Sequence, residues 1–181
     1  RGLGDVYKRQ SLSSADHAEL LEQYPYPFKI VARYTIDSEK VAVSYEVTNE
    51  GTEDMPFFVG GHPGFKCPLD EGESYDDYEL RFEQREATEL CTAVPSTGLI
   101  DVEHRSKNPM IGQNLPLTHE LFDFAETIFD VLESRVVTLT KKTEDKGVRL
   151  TFPDMPYLIV WSKPEGDFVA VEPWGGLSTC S

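Results

Sequence analysis

Two stretches far apart in the chain hold residues that could move protons. In Phe57-Phe58-Val59-Gly60-Gly61-His62-Pro63-Gly64-Phe65, an apolar run meets a Gly-Gly pair and then a single histidine ahead of a proline. Gly-Gly admits backbone angles closed to other residues and lets the chain come close to a ligand. Pro63 biases His62 towards an extended backbone and fixes its own φ near −65°. An imidazole held on a stiff turn suits proton transfer near neutrality, although a hydrogen-bonded turn histidine would look the same in isolation. The second stretch is Phe168-Val169-Ala170-Val171-Glu172-Pro173-Trp174-Gly175-Gly176. Period-two alternation there puts Phe168, Ala170 and Glu172 on one face, with Val169 and Val171 on the other. Glu172 is thus a carboxylate ending an apolar strand, beside an indole. Such surroundings raise a carboxyl group's pKa towards the range useful for proton exchange. Trp174 offers a flat face of the kind on which sugars stack. A strand-end glutamate turning into solvent is the structural alternative.

The elements that must position these residues read as strands. Phe28, Ile30, Ala32, Tyr34 and Ile36 share one face, while Lys29, Val31, Arg33 and Thr35 share the other. After Asp37-Ser38-Glu39, the run Val41, Val43, Tyr45, Val47 alternates with Ala42, Ser44, Glu46 and Thr48. Two alternating runs across a short polar loop predict an antiparallel hairpin. Ser13–Gln23 reads as a short helix, and Phe57–Val59 as a further strand. Tyr78, Leu80 and Phe82 alternate with Glu79, Arg81 and Glu83. The chain from Leu90 to Asn114 is irregular, with room only for short strands. Thr127–Phe129 and Val136–Leu139 are strand-like, against a competing helix over Phe122–Glu133. Val148, Leu150 and Phe152 alternate; Tyr157–Trp161 is apolar throughout, as in a strand buried on both faces. Many short strands separated by turn formers predict an all-β antiparallel sandwich.

Composition narrows the partners. The chain has 181 residues, 39% hydrophobic and 27% charged, which suits one globular domain with a sizeable core. With 32 acidic against 17 basic residues, the net charge is −15. So acidic a surface repels phosphate backbones and anionic lipid, so neither nucleic acid nor a membrane is an expected partner. Cys67, Cys91 and Cys180 are odd in number and lack metal-ligand spacing, as free thiols in a reducing compartment would be; the cytoplasm is the expected location. No apolar run approaches the roughly 18 residues of a membrane span. Arg1–Gln10, with four charges and no period, reads as a non-native or disordered leader, leaving 11–181 as the domain. His17, His104 and His119 read as surface residues. The acidic run Asp70, Glu71, Glu73, Asp76, Asp77 lacks the alternation of a calcium loop and reads as solvated; no metal site is expected. Tyr75 and Tyr78 are candidates to line a groove.

Taken together, Gly60-Gly61-His62-Pro63-Gly64-Phe65 followed by Cys67-Pro68-Leu69, and the later Glu172-Pro173-Trp174-Gly175-Gly176, resemble the aldose 1-epimerase (galactose mutarotase-like) family, in its LacX-like branch. The resemblance runs from about Tyr24 to Gly176. It implies an antiparallel β-supersandwich, here incomplete at both ends, with sugar bound on a concave face. It implies interconversion of the α and β anomers of a free hexose, with His62 as general acid, Glu172 as general base, and no cofactor. Trp174, Phe65 and Gly61 are the implied substrate-binding positions. The alternatives are a hexose-6-phosphate epimerase and a non-catalytic carbohydrate-binding domain of the same fold. Where family members often carry an Asp, this chain has Ala125 with Glu126 adjacent, so that role is not carried over. The expected partner is a small sugar; oligomeric state is open.

Overall fold

The structure is a computed structural model and describes residues 6–180. It divides into two compact units, one ending at Phe57 and the other beginning at Phe58. Each unit holds its own hydrogen-bonded sheets, where one domain over 11–181 was expected.

The first unit is a three-stranded antiparallel meander. Strands β1 (Val6–Ser13), β2 (Phe28–Asp37) and β3 (Lys40–Asn49) lie in the order β1-β2-β3. The predicted hairpin is present, in register from Phe28 opposite Asn49 to Asp37 opposite Lys40. Two expectations are corrected here. Val6–Gln10, set aside as leader, belong to β1 and pair with Ile36–Ala32, because their backbone groups complete the free edge of β2; Arg1–Asp5 lie outside the described residues. The helix expected over Ser13–Gln23 shrinks to one turn, α1 (Leu20–Gln23). Ser13 instead ends β1, and the Ser14 backbone N–H and Phe28 carbonyl tie the following turn to β2. The face parity of β2 is as predicted, but Val31 is its buried residue, while Ile36, Val41 and Val43 stay exposed.

The second unit is a two-layer sandwich. A four-stranded sheet runs β11-β10-β5-β8, from β5 (Tyr78–Phe82), β8 (Asn114–Pro116), β10 (Val136–Lys141) and β11 (Gly147–Thr151). A seven-stranded sheet runs β14-β7-β6-β9-β12-β13-β4. Its members are β4 (Gly64–Lys66), β6 (Leu90–Val94), β7 (Leu99–Ser106), β9 (Thr127–Phe129), β12 (Tyr157–Trp161), β13 (Phe168–Trp174) and β14 (Thr179–Cys180). Pairing is antiparallel except for β14 along β7. The main core joins Leu80, Phe82, Leu115, Val137 and Leu139 of one sheet to Phe129, Leu158, Val160, Val169 and Val171 of the other. Val169 and Val171 therefore face the core, as alternation predicts, and their neighbours on β13 face the opposite way. A smaller cluster of Cys91, Ile100, Ile128 and Ile159 covers part of that opposite face.

The strands expected at Tyr78–Phe82, Thr127–Phe129 and Val136–Leu139 form, the last running on to Lys141, the helix alternative over Phe122–Glu133 does not, and β12 is buried on both faces. Phe57–Val59 forms no strand: Val59 accepts a hydrogen bond from Gly175, and the next residue, Gly60, bridges to Trp174. Among the described residues no helix is long and apolar enough to cross a membrane.

Candidate active site

The segment from Val59 to Lys66 lies along the free edge of β13 and is fastened to it repeatedly. Gly175 donates its N–H to Val59 O at 2.8 Å, Gly61 to Pro173 O at 2.9 Å and Val171 to Pro63 O at 3.1 Å. Beyond Pro63, β4 continues the pairing, with Gly64 opposite Ala170 and Phe65 opposite Val169. So close an approach depends on absent side chains. A Cβ on Gly60 would lie 2.8 Å from Trp174 Cδ1, and one on Gly176 would run into the Phe58 ring. The two motifs read from the sequence are thus the two halves of one fastening, and it puts His62 over Glu172.

His62 Nε2 stands 3.1 Å from Glu172 Oε1. The imidazole is 66% exposed and the carboxylate side chain 3% exposed, so one partner is open to solvent and the other is covered. Glu172 lies opposite Ile159 on β12, which lies opposite Ile128 on β9, so the carboxylate ends a row of buried isoleucines. Burial pushes its pKa above the ordinary carboxylate value. The charge on His62 and a hydrogen bond from the Trp174 indole pull the other way, while the Glu126 carboxylate adds to the rise. Among the described residues no cluster of three or more His, Cys, Asp or Glu side chains could hold a metal ion.

The structure brings His62, Glu172 and Trp174 together and separates them from Phe65. Phe65 pairs with Val169, so its side chain belongs to the core face and packs against the main cluster. The assignment of Phe65 to sugar contact is corrected accordingly: an odd–even count from Gly64, opposite Ala170, puts it on the wrong side. Gly61 engages its N–H with Pro173, so it acts by holding the turn that carries His62. Tyr75 and Tyr78 belong to the main core rather than to the His62–Glu172 face, Tyr75 stacked on His119 at 4.2 Å between centroids, and Tyr78 borders a separate pocket with Asp70, Lys141 and Lys146. His119 is therefore packed and half-buried, while His17 and His104 pair with Glu19 and Asp101. In the acidic run, Glu73 bonds Lys141 at 2.6 Å and Asp70 approaches Lys146 at 3.4 Å.

Two residues on the Glu172 face were not singled out as site residues. Trp161 lies opposite Ala170, two residues from Glu172 along the face, half-buried against Phe168. Extending the pairing of Thr127 with Val160 by one residue sets Glu126 opposite Trp161. The signal for both was cross-strand register, which no single strand displays.

A family model described as aldose 1-epimerase matches residues 6–180. LacX of Lactococcus lactis subsp. lactis, in plasmid and chromosomal forms, is 40% identical over 171 residues. That match takes in 93% of this chain and 57% of the relative, so the chain spans little more than half the length of the curated relatives it matches. The crystal structure of a galactose mutarotase-like protein from Lactobacillus casei superposes with a TM-score of 0.76 at 30% identity, covering 98% of this chain and 60% of that one. A galactose mutarotase related enzyme from Lactobacillus acidophilus gives 0.77 at 25% identity, covering 94% and 56%.

Proposed function

The chain belongs to the aldose 1-epimerase family, and from that premise we propose that His62 and Glu172 interconvert the α and β anomers of a free hexose. The observation that carries this reading is the 3.1 Å contact between an exposed imidazole and a buried carboxylate. With the proton on the imidazole, the pair holds a loaded acid and an empty base side by side, the starting state the reaction needs.

His62 gives its proton to the ring oxygen as the C1–O5 bond breaks, the bonding electrons passing to O5. Glu172 takes the proton of the anomeric hydroxyl, and the C1–O1 double bond forms. Rotation about C1–C2 exposes the other face of the aldehyde. Closure runs the steps backwards: O5 attacks C1 and returns its proton to His62, while Glu172 returns its proton to O1. Both groups end as they began, so no redox or organic cofactor enters the balance. The fastening along β13 holds the pair in place before substrate arrives, which lowers the entropic cost of assembling them around it. The raised proton affinity of Glu172 makes it a stronger base than an exposed carboxylate.

Polarimetry on freshly dissolved α-glucose or α-galactose tests the proposal. Protein-dependent acceleration of the approach to equilibrium rotation supports it. Sugar binding in the intact protein with no acceleration would instead identify a carbohydrate-binding domain.

A further inference from the structure

We propose that Glu126 selects against phosphorylated sugars, its carboxylate standing as a fixed negative charge on the same sheet face as the His62–Glu172 pair. This rests on the epimerase reading and names the residue that sets its substrate class.

Three observations carry it. The first is placement. Glu126 precedes β9 by one residue and shares the face of Ile128, whose row across β12 ends at Glu172. Glu126 is half-buried, so its field is screened less than that of an exposed side chain. The second is the wall on which it stands. Glu126 lines a cavity of about 350 Å³, bordered also by Cys91, Ser106, Lys107, Glu120 and Phe124. Two carboxylates against one ammonium leave this wall negative, with Glu172 on the same face. The third is the engagement of the nearby cations. The Arg105 guanidinium is held by Asp130 through two bonds of 2.9 and 2.6 Å. Lys66, on the Glu172 face of β4, directs its ammonium to the Leu69 carbonyl at 3.4 Å. A phosphoryl group is recognised by a cationic fork or a cluster of donors. Among the described residues its approach on this face meets Glu126 and Glu172, with His62 and Lys66 as the opposing groups, and the adjoining cavity wall adds Glu120 against Lys107.

The same charge acts on the reaction. A negative neighbour disfavours ionisation of Glu172, so Glu126 adds to the base's proton affinity, alongside burial and against His62 and Trp174.

A charge series on one sugar framework tests the inference: glucosamine, glucose and glucose 6-phosphate. In the wild-type protein, half-saturation for mutarotation is expected to rise from the cationic to the neutral to the dianionic sugar. Glu126→Gln is expected to lower the glucose 6-phosphate to glucose ratio by roughly 3–10-fold, the scale of one half-screened charge. An unchanged ratio, or a wild-type preference for the phosphate, overturns the inference. Should no sugar be turned over, the epimerase reading fails, and a second measurement still decides the placement. Carbon-13 titration of the Glu172 carboxyl in wild type and Glu126→Gln is expected to move downward in the variant. An unmoved titration overturns the proposed electrostatic reach.

Discussion

At the scale of single residues, Glu172 sits where an ionised carboxylate is least at home, and that position supplies both its basicity and a cost in stability. Its folded pKa lies above the ordinary value, with burial the leading cause. The fold therefore favours the protonated acid. The stability gained from this preference is fully present below the unfolded pKa, near 4.3, and is lost as pH rises through the higher folded value. Replacing Glu172 with Gln removes the charge and keeps the shape. The variant is expected to melt above wild type at pH 7.5, with the difference closing as pH falls to 4; equal melting at pH 7.5 would contradict the burial argument. For the proposed catalysis the sign is opposite. The base must be ionised, so turnover is expected to fall on the acid side at a pH above the ordinary glutamate range, which a pH–rate profile reads directly. The meeting of His62, Glu172 and Trp174 was legible in the sequence because each stands in a short motif with strong backbone constraints. Glu126 was not, because its importance depends on which residues lie beside it two strands away.

At the scale of elements, the site is a fastening between an irregular segment and the edge of β13. Its hydrogen bonds fall at Val59, Gly61 and Pro63, and Gly60 lies flat against Trp174. Gly60→Ala is expected to push the indole aside and carry the His62 turn with it. Since displacement of about 1 Å can cost on the order of 10²-fold in rate, turnover should drop by roughly 10–100-fold while the melting temperature falls only a few degrees. Wild-type turnover in this variant would show that the close approach is incidental. The strands that alternate cleanly, β2, β3, β11 and β13, were readable from residue type alone. β7 was not: beyond Val102 it runs Glu103-His104-Arg105-Ser106, and a register shift interrupts its pairing with β6. Phe57–Val59 failed in the other direction, apolar enough for a strand but left mostly exposed between Pro56 and the glycines. Phe65 shows the remaining gap, since its motif was visible and its side of the sheet was not.

At the scale of the molecule, the core that supports the site lies wholly in the second unit. Leu80 is fully buried between the sheets, whereas Val41 in the first unit is 63% exposed. Leu80→Ala should cost about 2–5 kcal/mol and Val41→Ala no more than about 0.5 kcal/mol, as read from urea midpoints. A large loss at Val41 would mean that its face is covered in solution. The central claim is that His62 and Glu172 act as one proton-exchanging pair. It is tested most directly by the rate of anomer exchange, measured by NMR magnetisation transfer in the intact protein with His62→Ala, Glu172→Ala and both together. The account predicts a loss of about 10²–10⁴-fold for each single variant and a double variant little worse than the weaker single. Single losses of tenfold or less, or losses that multiply in the double variant, would contradict it.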